Sequence, residues 1–173
     1  MRRVLLVLLL ASCGVEATKP LTPASGSKPD PSLTGTWIEA VKGKQDITIT
    51  VKATGALLHI EVTGERDPMI FEGHVSVLSN DVRIVNLREF KDGKAKGNYL
   101  FLRYVLNADG TLDTWLVSDK LASAALNDGT LKGKRGQYGG VTLDETPEKM
   151  IAFILKGKRE EIFEPLLTLK RKP

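Results

Sequence analysis

The 173-residue chain contains a single cysteine, Cys13, and only two histidines, His59 and His74. One cysteine cannot form an intramolecular disulfide, so stability must come from an apolar core. The same scarcity excludes a structural metal site of the Cys/His type. The sequence also has no Gly-x-Ser-x-Gly elbow, no phosphate-binding loop ending in Gly-Lys-Ser/Thr, and no visible pair of nucleophile and base. We therefore predict that the protein is not an enzyme and uses no cofactor or metal.

The first 12 residues have the layout of a secretory signal peptide: two arginines, an unbroken apolar run over residues 4–10, and two small residues. As a helix, the apolar stretch would rise only about 12 Å, against roughly 30 Å of bilayer hydrocarbon. It is too short to span a membrane. Without the two arginines the chain keeps 23 basic and 21 acidic residues, a net charge of +2 instead of +4. That near balance predicts no nucleic-acid partner.

The tetrapeptide Leu-Ala-Ser-Cys at residues 10–13 resembles the lipobox of bacterial lipoproteins. In that family a peptidase cuts before the cysteine after its sulfur has received a diacylglycerol. The resemblance implies that residues 1–12 are a lipoprotein signal peptide, and that Cys13 carries acyl chains such as palmitate. The membrane would then be a partner through this N-terminal lipid. The alternative is an ordinary signal peptide whose cleavage point falls near a cysteine.

The residue after the cysteine, Gly14, also bears on localisation. A residue other than aspartate at this position resembles the outer-membrane sorting signal of Gram-negative bacteria. The resemblance implies an outer-membrane lipoprotein facing the periplasm; the alternative is the extracytoplasmic face of the plasma membrane.

Residues 14–31 are rich in Pro, Ser, Thr, Gly and Ala and hold few large apolar groups. Such a segment buries too little surface to offset its ordering entropy. We therefore expect residues 13–31 to be the lipidated cysteine and a flexible tether, followed by one domain over residues 32–173.

Alternation of apolar and polar residues dominates that domain and predicts strands with one face toward a core. After a first strand that contains residues 33–37, we predict strands at residues 46–52, 58–62, 70–78, 82–90, 99–106, 111–117 and 163–170. The apolar parity of the strand at 82–90 changes between Ile84 and Val85, which predicts a bulge or a bend there. Two short helices are predicted at residues 120–126, capped by Ser118 or Asp119, and from Pro147 to about Lys156, capped by Thr146. The fold class is mainly β, an antiparallel barrel or sandwich.

Gly35-Thr36-Trp37, at the start of the strand series, resembles the Gly-x-Trp motif of the lipocalin and calycin superfamily. The resemblance implies a lipocalin-like barrel of about eight strands, in which Trp37 closes the base and Arg171 packs over its ring. The middle Thr-Asp-x-x-Tyr-like motif of that family is not found here, and the helix after Val117 departs from the usual arrangement.

Inside the domain, Arg103 lies on a strand that is otherwise apolar on both faces. A covered charge must be paired, bound to a ligand or placed near a rim. We predict a ligand site formed by Tyr99, Phe101, Arg103 and Trp115; the alternative for Arg103 is an internal salt bridge or a rim position. His59 opposite His74, with Glu61 opposite Glu72, would form an outward polar patch, interpreted as cross-strand pairing rather than a metal site.

The sequence as a whole predicts a lipid-anchored envelope protein that binds a small apolar or amphipathic ligand. The alternative is a structural or protein-interaction component of the cell envelope without a ligand. Which protein partners it would have cannot be read from the residues.

Overall fold

The computed structural model describes residues 14–39, 47–64, 67–136 and 140–172. Cys13 and the predicted signal peptide, residues 1–12, lie outside these ranges. The strands are β1 (Val15–Ala17), β2 (Gly35–Glu39), β3 (Thr48–Thr54), β4 (Leu57–Thr63), β5 (Met69–Ser79), β6 (Val82–Lys91), β7 (Lys94–Leu106), β8 (Leu112–Val117), β9 (Gly133–Arg135), β10 (Val141–Leu143) and β11 (Phe163–Arg171). The helices are α1 (Asp119–Asn127), α2 (Pro147–Lys156) and α3 (Arg159–Ile162), with 3₁₀ turns at Ala24–Gly26 and Pro31–Leu33. None of the described helices is long and apolar enough to cross a bilayer.

Eight antiparallel strands form a closed barrel in the order β6-β5-β4-β3-β2-β11-β8-β7, and β7 pairs back onto β6. This confirms the predicted mainly β fold class, a barrel consistent with a lipocalin-like fold. Closure leaves the barrel strands without unpaired edges. Strand β1 extends the sheet by pairing with β7, and β10 and β9 follow it outward.

Alternation along the strands sends every second side chain into the barrel. The inner core is formed by buried residues that include Trp37, Val51, Leu58, Ile60, Phe71, Val75, Val85, Leu87, Leu100, Tyr104, Leu112 and Leu169. A second core lies outside the barrel, where β1, β10 and the helices cover the outer face of β6, β7, β8 and β11. The domain therefore has two apolar cores separated by one sheet.

The predicted bulge between Ile84 and Val85 is wrong. The ladder between β5 and β6 runs unbroken through both residues, and its register shifts instead between Val77 and Ser79. Ile84 and Val85 are both buried because Val85 faces the barrel interior while Ile84 packs in the outer core. Coverage on both faces, not a bulge, explains the change of parity.

Both helices predicted from the sequence are present, and their caps differ. The Thr146 side chain accepts a hydrogen bond from the Lys149 amide at 3.4 Å, with Pro147 in the first turn, as predicted. Ser118 precedes α1, but its hydroxyl donates to a Glu164 carboxylate oxygen at 2.6 Å rather than capping the helix. Ser118 thus joins α1 to strand β11.

The predicted flexible tether is not what the structure shows, and this corrects our expectation for the described part of residues 13–31. Residues 14–34, here called the strap, run across the outer face of the barrel. Val15 and Leu21 are buried, at 3% and 1% exposure. The strap begins as strand β1 and ends at the 3₁₀ turn before β2. Side chains on the long strands β5 and β6 supply the partners that hold the strap, and the composition of the strap itself did not reveal them.

Polar side chains on the outer face of β5 and β6 hold the middle of the strap. The amide of Leu21 donates to Asn86 Oδ1 at 2.8 Å. His74 Nε2 lies 2.7 Å from the carbonyl oxygen of Thr22, whose hydroxyl is 2.6 Å from that of Ser76. These contacts bury outward-facing polar groups that would otherwise meet water, so the strap is an integral layer of the fold.

Candidate functional site

The barrel interior contains a cavity of about 80 Å³. Its lining is almost entirely aliphatic and aromatic, with residues contributed by the strap end, β2 to β8 and β11. The lining includes Leu33, Trp37, Ile49, Val51, Ile60, Val62, Phe71, Val85, Leu87, Leu102, Tyr104, Leu112, Thr114, Leu167 and Leu169. No charged side chain contributes to this lining among the described residues.

The polar side chains in the lining have their polar atoms already bonded to the protein. The Tyr104 hydroxyl donates to Asp30 Oδ2 at 2.9 Å. The Thr114 hydroxyl donates to the Leu167 carbonyl at 3.0 Å and accepts from the Leu167 amide at 3.2 Å. A molecule in the cavity therefore meets apolar surface and no free hydrogen-bonding group.

Trp37 and Arg171 contact each other at one end of the barrel, as the Gly-x-Trp resemblance implied. Trp37 is fully buried, and its indole N–H donates to the Leu33 carbonyl at 2.8 Å. The Arg171 guanidinium carbon lies 4.5 Å from the centre of the Trp37 ring. The same guanidinium donates to the carbonyls of Ser32 and Thr34, each at 2.7 Å. Stacking and hydrogen bonding together tie the last strand to the end of the strap.

The contact between Arg171 and Trp37 explains why residue 35 is a glycine. Its φ is +124°, a region that side chains rarely adopt, and a Cβ built on it would lie 2.6 Å from Arg171 Nη1. The glycine of the motif thus makes room for the guanidinium that covers the tryptophan.

A cluster of polar side chains around Asp30 of the strap lies beside the cavity. Its Oδ1 accepts from the Ser32 amide at 2.9 Å, and its Oδ2 accepts from Tyr104 and from Arg83 Nη1, the latter at 3.1 Å. Burial opposes ionisation of Asp30, but the hydrogen bonds from Ser32 and Tyr104 and the charge of Arg83 outweigh it and hold its pKa below the usual range. Burial, together with the hydrogen bond to Asp30, raises the pKa of Tyr104 well above its ordinary value.

Acid is therefore expected to loosen the strap. Because the Asp30 pKa is lower in the folded than in the unfolded state, its contribution to stability is complete above the unfolded value of about 3.9 and is lost as pH falls through the folded pKa. We expect the urea midpoint of the wild type to fall below about pH 4 more steeply than that of Asp30→Asn. Asp67→Asn, at an exposed aspartate, is the control and should follow the wild type. Parallel curves for wild type and Asp30→Asn would contradict this assignment.

The predicted ligand residues Tyr99, Phe101, Arg103 and Trp115 do not line the cavity. Tyr99, Phe101 and Trp115 pack in the outer core instead, and β7 turns its even-numbered residues, including Leu102 and Tyr104, inward. The prediction used the wrong face of β7, because a strand that is apolar on both faces gives no parity signal. The charge of Arg103 was the available clue, since it argues that the odd-numbered face is not the sealed interior.

Arg103 is paired with aromatic rings rather than with an acid. Its guanidinium carbon lies 4.4 Å from the centre of the Trp115 ring and 5.3 Å from that of Phe163. The residue is 8% exposed, and its Nε is buried without a hydrogen-bond partner. Burial lowers the pKa of Arg103 from its usual value. The predicted internal salt bridge is not found in the described part of the chain.

The two histidines do not face each other. His59 lies opposite Glu72 in the ladder between β4 and β5, with Nε2 3.8 Å from the carboxylate, and Glu61 lies opposite Ile70. The predicted register was wrong by two residues, because the connection between the strands is shorter than assumed. His74 lies under the strap. Within the described ranges no group of three or more His, Cys, Asp or Glu side chains is placed to hold a metal ion.

Searches with protein-family models, among curated proteins and among solved structures returned no match to this chain.

Proposed function

We propose that the protein is a lipid-anchored binding protein of the lipocalin-like type, whose barrel accepts a slender apolar ligand. The observation that carries the proposal is the cavity, in which Tyr104 and Thr114 direct their polar atoms to protein partners. Such a site offers a ligand only desolvation and dispersion contacts. The chemistry it favours is that of a hydrocarbon chain.

The size of the cavity supports a narrow ligand. At about 80 Å³ it is roughly half of an engineered 150 Å³ cavity that holds benzene. A segment of a few carbons fits a space of this volume. Each buried methylene contributes about 0.8 kcal/mol, so a segment of a few carbons provides useful affinity.

The proposed anchor is the acylated Cys13 of the lipobox-like tetrapeptide. With Gly14 after it, the proposed location is the outer membrane, with the barrel on the periplasmic side. An anchored barrel with an apolar interior is suited to hold the chain of an amphipathic molecule beside the membrane from which such molecules come.

Native mass spectrometry of the protein extracted from its membrane tests the ligand. We expect one non-covalent apolar molecule on the wild type, released on denaturation, whereas acyl groups on Cys13 would stay attached. Leu102→Trp fills the cavity from its wall and is expected to abolish retention, at a packing cost of about 1–3 kcal/mol.

Leu106→Trp is the matched control, because Leu106 lies on the same strand but is 42% exposed and outside the cavity lining. It should retain the ligand as the wild type does. An empty wild-type barrel, or equal retention by Leu102→Trp, would refute the proposed function.

A further inference from the structure

The outer face of the barrel carries a guanidinium whose charge the described chain does not balance. Arg103 is more than nine-tenths buried, yet it forms no ion pair with any described carboxylate. Its Nε is fully buried and unpaired. A buried charge without a counter-charge is costly, so its retention points to a partner outside the domain.

Two aromatic rings hold this guanidinium in place. Trp115 and Phe163 contact it at 4.4 and 5.3 Å, and Trp115 is itself only partly buried. A planar guanidinium held by rings presents its N–H groups as a fixed fork, which matches the oxygens of a phosphate. Tryptophan is enriched at membrane–water interfaces, where its amphipathic ring sits at the level of the headgroups.

The position of the strap brings this pair close to the proposed anchor. Strands β1 and β8 lie end to end along one edge of β7, where Glu16 is opposite Leu100 and Trp115 is opposite Arg103. Only Gly14 separates Cys13 from the buried strand β1. Two residues span at most about 7 Å, and neighbouring strands are about 5 Å apart, so Gly14, which follows Cys13 in the sequence, lies within about 20 Å of Arg103.

We propose that Arg103 and Trp115 form a contact site for phospholipid headgroups, through which this part of the domain surface contacts the membrane that holds the N-terminal lipid. This inference rests on the proposed acylation of Cys13. Because β1 begins at Val15 and is buried, the domain has no long tether on which to stand away from the bilayer. The lipid phosphate supplies the missing counter-charge.

Tryptophan fluorescence tests the contact, because the chain has only two tryptophans. Full-length processed protein is reconstituted in phosphatidylcholine and phosphatidylglycerol vesicles, with or without brominated acyl chains as quenchers. We expect bromine to quench the emission that is lost in Trp115→Phe. Trp37, fully buried in the barrel, is the internal reference and should stay unquenched.

Arg103→Met separates a membrane contact from a structural role. Replacing an unbalanced buried charge by an apolar side chain is expected to leave the urea midpoint unchanged or to raise it. The same variant should lose most of the bromine quenching of Trp115. Arg103→Lys, which keeps the charge but not the fork, covers the case in which the methionine variant does not fold; it should show intermediate quenching. Wild-type quenching in both variants would overturn the role of the guanidinium.

Co-sedimentation with the vesicles distinguishes failure of the proposed lipid anchor from failure of the proposed headgroup contact. If the processed wild type does not sediment with vesicles, the anchor fails and the contact falls with it. If the wild type sediments but Trp115 is unquenched, the anchor stands and the contact alone is overturned. A saturable response of Trp115 to inorganic phosphate in detergent, absent in Arg103→Met and without quenching by brominated lipid, would assign the site to soluble phosphate and overturn the membrane assignment.

Discussion

Replacing Trp37 with alanine is expected to lower the free energy of unfolding by roughly 3–5 kcal/mol. The side chain is fully buried, and it supplies wall to the cavity as well as the surface on which Arg171 stacks. Domains of this size are stable by about 5–15 kcal/mol, so the variant should be close to unfolding. Urea unfolding followed by circular dichroism measures the loss, and Trp115 emission reports on the outer core independently.

Two glycine variants test the contact between Arg171 and Trp37 from the side of the backbone. Gly35→Ala and Gly129→Ala both place a side chain at positive φ, but only at position 35 would the new Cβ meet Arg171; at position 129 it meets open space. The backbone strain is larger at φ +124° than at φ +77°, so Gly129→Ala sets only a lower limit for it. The part of the Gly35→Ala loss that disappears in an Arg171→Met background measures the displaced guanidinium. Equal losses in the two variants, together with a loss below about 1 kcal/mol for Trp37→Ala, would show that the closure contributes little to stability.

Asn86→Ala is expected to be the most damaging polar substitution in the described domain. Asn86 is fully buried; it accepts from the Leu21 amide and donates to Ser76 Oγ at 2.7 Å and to the His74 carbonyl at 3.2 Å. Alanine leaves the buried Leu21 amide without its acceptor, at a cost of about 1–3 kcal/mol, and it also removes the hydrogen bonds to Ser76, which keeps Thr22 as a partner, and to the His74 carbonyl. We expect a total loss of about 3 kcal/mol or more.

Hydrogen exchange locates this effect, because the Leu21 amide loses its acceptor in Asn86→Ala. Its exchange should become much faster than in the wild type, while amides in the ladder between β3 and β4 change only with global stability. Asn80→Ala, at an exposed turn, is the control and should stay within about 0.5 kcal/mol of the wild type. An unchanged Leu21 amide in Asn86→Ala would show that the strap is held by other contacts.

The barrel strands and both longer helices were predictable from the sequence because each carries its own local signal. Alternation marked β3 and β4, and Thr146 with Pro147 marked the start of α2. The contact between Trp37 and Arg171 followed from the Gly-x-Trp resemblance, and the structure contains it. These features depend on neighbours in sequence or on a short motif.

The strap and the lining of the cavity could not be predicted, for different physical reasons. The strap is held by side chains more than 50 residues away, such as His74 and Asn86, and nothing in its own composition reveals them. The lining depends on which face of β7 is inward, and β7 is apolar on both faces because two cores meet on it. Short strands such as β9 carry too few residues for a periodic signal.

The pairing of β1 also sets an order of events during biogenesis. Its partners are β7 and β10, and Val15 is opposite Val141. The first strand of the domain therefore cannot pair fully until β10, the second-last strand, is present. Contacts so distant in sequence form late, because closing the intervening chain costs entropy first. In a chain that is made from its N-terminus, β1 therefore stays unpaired until β7 and β10 have been made. Under the proposed acylation of Cys13, the modifying enzyme would act while the neighbouring strand β1 is still unpaired, before the strap docks.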